Sequence, residues 1–233
     1  MSLYCHKPVY NFDLFINQLN KKYIYMKKVL FTLVSGLALL LLQSGYSQTI
    51  VGSSHDFSAR AWNTSVGGQI CVVCHTPHNA SLTVTDAPLW NHATTTATFS
   101  LYTSSTLNGT LGQPDASSKL CLSCHDGTVA LSNFGTTTTG THFISGADLL
   151  GTELKNDHPV SFTYDAALAT ADGGLRNPIT AASGLGGTIN QNMLFGGKMQ
   201  CASCHDVHNS AGVSNLLVKA NTASALCLTC HSK

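Results

Sequence analysis

The chain has 233 residues with 12 Lys and Arg against 11 Asp and Glu, a net charge of +1, and only 10% of its residues are charged. A near-neutral chain of this kind lacks the basic stripe that nucleic acid requires, so that partner is excluded. The unusual part of the composition is nine cysteines and eleven histidines.

In chain order, residues 26–47 read as a secretory signal. Lys27 and Lys28 give the positive start, Val29 to Leu42 is apolar, and Gly45-Tyr46-Ser47 ends on a small residue. That is the order of a cleavable signal, and the apolar run is short for a spanning helix, so no retained membrane anchor is expected. Residues 1–25 carry mixed polar, aromatic and basic residues, which do not suit the front of a signal. They are read as an upstream mis-start absent from the mature protein, which would then begin near Gln48 without Cys5. Residues 48–233 hold seven Lys and Arg against ten Asp and Glu.

The remaining eight cysteines fall in four Cys-x-x-Cys-His motifs: Cys71, Cys74, His75; Cys121, Cys124, His125; Cys201, Cys204, His205; and Cys227, Cys230, His231. This is the pattern of covalent haem attachment. Positions i, i+3 and i+4 share one face of a helical turn. Two thiols can then form thioethers to one porphyrin while the imidazole beneath ligates the iron. A lone Cys-x-x-Cys also fits a zinc knuckle or a thiol redox pair, but here His follows every time. Four haem c groups are therefore expected, with His75, His125, His205 and His231 as proximal ligands.

The flanks divide the motifs into two kinds. Cys71–Asn79 and Cys201–Asn209 carry a second histidine three residues after the first, His78 and His208. Leu120–His125 and Leu226–His231 do not. Upstream lie His55-Asp-Phe-Ser58 and His158-Pro-Val-Ser161. The order suggests a duplicated two-haem unit, 48–149 and 150–233, packed as one domain. Four further ligands are needed if each iron has two. His55, His78, His158 and His208 occupy equivalent places in the two copies and are the expected distal set, with His92 in reserve. His78 and His208 are paired in this reading with the second haem of their own half, and His55 and His158 with the first. His142 has no counterpart and is read as a surface or propionate contact. Asp126 and Asp206 are candidate acceptors for the Nδ1–H of the adjacent haem histidines. Trp62, Trp90, Tyr102 and Phe162 are expected against porphyrin faces, and Met193 and Met199 in the core.

No long amphipathic helix or strand series is legible. Thr136–Thr139 and Ser183–Gly187 are loop material. The expected fold is mostly irregular coil with short helices at the motifs and little β, wrapped around a haem array. Asn63, Asn79 and Asn108 head triplets that permit glycosylation.

Cys-His-Thr-Pro-His-Asn, Pro-Leu-Trp-Asn-His, Asn-Asp-His-Pro-Val-Ser-Phe and Cys-Ala-Ser-Cys-His-Asp-Val-His-Asn together resemble the paired Cys-x-x-Cys-His cytochromes of bacteria. In size and haem number the chain is similar to the tetrahaem cytochromes that polymerise into extracellular nanowires. The resemblance implies electron transfer along stacked haems and other copies of the chain as partners. It also implies that an N-terminal histidine, here His55, can complete a haem of the next subunit. Other redox cytochromes or extracellular acceptors would receive the electrons. The implied location is extracellular or on the cell surface, with a periplasmic shuttle as alternative. A multihaem reductase of nitrite or a similar nitrogen oxide is the rival class. It needs an open iron, and no Cys-x-x-Cys-Lys occurs here, so no enzyme activity and no catalytic residue are expected.

Overall fold

The computed structural model describes residues 21–30 and 50–232. The chain divides into two units, residues 1–47 and 48–233. In the first, residues 21–30 are helical with exposed side chains (α1). The rest of the expected mis-start and signal lies outside the described residues. Among the described residues no helix is long and apolar enough to cross a membrane.

The second unit is coil punctuated by short elements, as its composition predicts. The helices are α2 (Ala116–His125), α3 (Ala166–Asp172), α4 (Ile189–Asn192) and α5 (Cys227–Cys230). Two-residue strands β1 (Ser100–Leu101) and β2 (Glu153–Leu154) pair in parallel, and β3 (Phe162–Thr163) and β4 (Lys198–Met199) pair antiparallel. Elements this short need local caps. Asp165 accepts from Leu168 N at the start of α3, and Gly173 closes it at φ 67°, a left-handed conformation that glycine adopts without steric cost. Thr188 and Gln191 form a reciprocal capping box on α4, which satisfies two otherwise free N–H groups.

The apolar core is fragmented. The largest cluster gathers Phe162, Tyr164, Ile189, Met193, Leu194, Met199 and Leu226 in the second half. Full burial of one such side chain contributes about 1.5–3 kcal/mol. Met193 and Met199 sit there as gap-fillers, as expected. Tyr164 donates its hydroxyl to Arg176 O at 2.5 Å, so its polar end is satisfied. Two smaller clusters, Val84/Trp90/Leu120 and Phe99/Leu122/Leu154, lie on either side of α2.

A buried polar seam joins the two sequence halves. Gln200, 1% exposed, accepts through Oε1 from the Ser118 amide (3.3 Å), the Ser118 hydroxyl and the Ser161 hydroxyl (3.1 Å). Its Nε2 donates to Asp115 at 2.8 Å, and Asp115 also pairs with Lys198. Ser118 Oγ in turn accepts from Cys201 N at 3.0 Å, and Ser161 Oγ from Asp115 N at 3.0 Å. The network places the helix of the second motif directly against the turn of the third. Cutting Gln200 leaves buried donors unmatched. Gln200→Ala should cost about 1–3 kcal/mol, read as a lower urea midpoint at unchanged slope.

Asp115 carries an acid-sensitive part of this seam. Partial burial raises its carboxyl pKa, but hydrogen bonds from Lys198 and Gln200 outweigh that and hold it below its ordinary value. A carboxyl lowered on folding stabilises above its unfolded pKa and loses that contribution as pH falls through the folded value. Asp115→Asn should therefore flatten the fall of unfolding midpoint below about pH 4, while wild type keeps the steeper limb.

Candidate haem-binding site

Each motif forms one tight turn. The first and third are 3₁₀ turns, Cys71–Val73 and Cys201–Ser203, and the second and fourth are helical, ending α2 and forming α5. Amide-to-carbonyl bonds from His75 to Cys71 (2.8 Å), His205 to Cys201 (3.0 Å) and His231 to Cys227 (3.0 Å) close the turns. They bring both thiols and the imidazole to one side. All eight motif cysteines carry unpaired thiols. Burial, aided by Cys71, pushes the Cys74 thiol up to about 11; burial also raises Cys124 to about 12 and Cys230 to about 11. Cys201 goes the other way, lowered to about 7 chiefly by its hydrogen bond with Cys121. Among the described residues no three His, Cys, Asp or Glu side chains converge as a metal cluster would require. Two cysteines and a following histidine on one turn, four times over, are the donor set that thioether-attached haem needs.

The imidazoles are held from behind. Nδ1 of His75 meets Pro88 O at 2.6 Å, that of His125 meets Asp148 O at 2.7 Å, and that of His205 meets Asn215 O at 3.0 Å. A proton fixed on Nδ1 leaves Nε2 as the free ligating atom and sets the ring plane. His231 is held by its backbone bridge to Leu175. The expected acceptors Asp126 and Asp206 do not fill this role. Asp126 is buried and folds back onto Thr95 (2.5 Å) and the Thr128 amide (2.7 Å). Asp206 accepts from the His208 and Ser210 amides, at 3.0 and 2.8 Å. A short Asp side chain prefers the amides just ahead of it in its own loop. The carbonyls come from another segment, brought in by backbone bridges.

Those bridges repeat. Thr76 N bonds Leu89 O (2.9 Å) and Asn91 N bonds Cys74 O (2.9 Å); in the other half Asp206 N bonds Leu216 O (2.7 Å) and Val218 N bonds Cys204 O (2.9 Å). His75 bridges Trp90, and His205 bridges Leu217. Leu89 and Leu216 both sit at positive φ, 52° and 55°, a strained conformation for leucine. In each half that kink turns the neighbouring carbonyl onto the imidazole. Asn79 and Asn209 match as well, at φ 58° and 53°. Sequence inspection alone missed the carbonyl acceptors Pro88, Asp148 and Asn215, which no side-chain pattern marks. The one available signal was the leucine after Pro88 and after Asn215.

Three of the four motif histidines face a second imidazole. His125 and His55 have ring centroids 6.1 Å apart, His231 and His158 6.3 Å, and His75 and His208 6.2 Å. A metal–nitrogen bond of about 2 Å on each side, plus the reach from nitrogen to ring centre, puts two trans imidazoles roughly 6 Å apart. The spacing thus fits an iron between each pair. Burial, with His125 next, pushes the His55 pKa down to about 4, so its imidazole is neutral, the form that ligates. Its Nδ1 is buried without a protein partner. His78 is exposed and makes no ring contact among the described residues. These facing pairs differ from the expected wiring. His55 and His158 meet the second motif of their half, not the first, and His208 meets a motif of the other half.

The other candidates lie nearby. His92 is buried, with Nδ1 at 2.7 Å from Ala93 O and Nε2 at 3.1 Å from Ala130 O. Trp62 packs on Phe57 and Phe134, Trp90 stands edge-on to His92, and Phe162 belongs to the main core. Tyr102 lines an apolar cleft with Leu101, Leu111, Leu154, His158 and Cys201. His142 is exposed, with its carbonyl accepting from Leu131 N at 2.6 Å.

Residues 195–233 match the family model for the doubled CXXCH motif. No curated protein matches the chain. The match covers the last two of the four motifs and supports a multihaem c-type cytochrome of the paired Cys-x-x-Cys-His kind, whose covalently bound haem would serve electron transfer.

Proposed function

We propose that residues 48–233 hold four haem c groups, each fixed by two thioethers and two histidines. Haem iron when bound takes up or gives up one electron and supplies the redox chemistry. The observation that carries the reading is the 6.1–6.3 Å separation of facing imidazoles. His75, His125, His205 and His231 are the proximal ligands, and His55, His78, His158 and His208 the distal ones. His92 stays outside the set because both of its ring nitrogens already meet backbone carbonyls. With two histidines on every iron there is no open position for a substrate, so the protein conducts electrons rather than reducing a nitrogen oxide. The protein tunes potentials through ligand identity, burial and hydrogen bonds to the ligand rings.

Attachment of haem c occurs outside the cytoplasm, so the protein is exported, with the apolar run before residue 48 as its signal. Assembly into an extracellular filament is the form implied by the resemblance to nanowire subunits, with other copies of the chain as partners. Within a single chain, His55 faces His125. That same facing pair favours the second reading, a self-contained four-haem carrier of the periplasm.

Four measurements test these readings. The mass of the mature protein should exceed its polypeptide by four haems, its ferric spectrum should be wholly low-spin, and the reduced protein should bind no carbon monoxide. Rapid carbon monoxide binding to one haem in the unmodified protein would move the assignment to an enzyme. Negative-stain images of shed surface material should show filaments. Monodisperse particles at every concentration would leave only the carrier.

A further inference from the structure

The ring contacts have a symmetry that decides the one unplaced pair. Four histidines follow in the same order in each half: His55 with His158, His75 with His205, His78 with His208, and His125 with His231. The matching backbone bridges around His75 and His205 carry that correspondence into three dimensions. Exchanging the halves turns the pair His55/His125 into His158/His231, and both are observed. The same exchange turns the observed His75/His208 into His205/His78. His205 and His78 are the two histidines of the eight that lack a ring partner among the described residues. The Cys-His-x-x-His turn also forbids the nearer solution. His78 follows His75 by three residues on the same turn, so it cannot reach the opposite face of the porphyrin that His75 holds.

From this we infer that the first haem of each half takes its second axial ligand from the other half: His208 for the iron on His75, and His78 for the iron on His205. The inference rests on the four-haem reading above. Two irons then staple the halves together, next to the Gln200 seam, while the outer two are completed within a half. Asp206 is a positioning residue here. It accepts from the His208 amide at 3.0 Å and stands 3.7 Å from His208 Nδ1. In the first half Thr76 takes that place, its hydroxyl donating to His78 O at 2.8 Å.

The ring planes supply a spectroscopic signature. His75 and His208 lie 14° from parallel, whereas His55/His125 and His158/His231 are crossed at 60° and 74°. Near-parallel imidazoles split the ferric orbitals and give a rhombic low-spin EPR signal. Crossed imidazoles leave two orbitals nearly degenerate and give a broad signal of large g. The protein should show both kinds.

The test is the fully loaded chain carrying His208→Ala. One haem should turn high-spin and half of the rhombic signal should vanish, with the large-g signals unchanged. Trypsin locates the opened haem, because cleavage after Arg60, Lys119, Lys155, Arg176, Lys198 and Lys219 leaves each motif in its own peptide. A short hydrogen peroxide pulse attacks the five-coordinate haem first. Haem loss from peptide 61–119 supports the exchange. Loss from peptide 220–233, the second haem of the same half, overturns it while leaving the bis-histidine reading intact. No high-spin haem at all overturns both. If His208→Ala loads poorly, His208→Met keeps a ligand in place and should raise the potential of a single haem. Loss of a large-g signal in that variant, with the rhombic signal intact, would equally overturn the exchange.

Discussion

A backbone carbonyl pressed against the rear nitrogen of an imidazole is the contact on which this structure turns. Pro88, Asp148 and Asn215 each supply one. A histidine ring free to rotate would present either nitrogen in any direction. With Nδ1 held, the ring plane is set and Nε2 is left as the ligating atom; at His75 and His125 a second ring stands about 6 Å away. The contact matters enough for the chain to accept a leucine at positive φ in both halves, where strain of order 1–2 kcal/mol is expected. Strain of this kind persists only where its surroundings over-determine it. The backbone bridges to Thr76 and Asp206 do so here.

The polypeptide around these rings is a thin frame. Among the described residues its core is three separate clusters, and its strands are two residues long. Beside the Phe99/Leu122/Leu154 cluster and the β1–β2 pair, a polar contact ties the frame across the two halves: Gln200 reaches Ser118, Ser161 and Asp115 at once. Each group in that network has its partner, so burying it does not carry the cost of an unmatched donor. The effect is to set the second motif's helix on the third motif's turn, which brings haem sites of different halves side by side. Electron transfer between closely spaced centres needs no moving part, and the frame provides none in the motif turns, each closed by its own hydrogen bonds.

A repeated two-haem unit, as proposed here, would let so short a chain reach such an arrangement. Each copy would complete its outer iron alone, while exchange of the inner ligands would make the pair indivisible. The same logic bears on polymerisation. A ligand passed between halves is the intramolecular form of a ligand passed between subunits. Here His55, the residue that resemblance would give to a neighbour, is turned toward its own chain.

The sequence by itself determined the cofactor chemistry and the recurring motif flanks, because Cys-x-x-Cys-His places three groups on one turn and the second histidine recurs at the same offset. It also determined the fold class, since nothing in its periodicity could build a long helix or sheet. Only the tertiary structure decided which imidazole faces which. Distance along the chain suggested that His78 and His208 serve their own half; the fold put His208 against His75, 133 positions earlier. Nor could sequence find Pro88, Asp148 and Asn215, since every residue carries a carbonyl and only a backbone bridge gives one of them a histidine to hold. Asp126 and Asp206 looked like better acceptors because their side chains are legible, yet short side chains were claimed by the nearest amides. Local spacing fixes what a turn can bind, while facing partners depend on how distant turns are brought together.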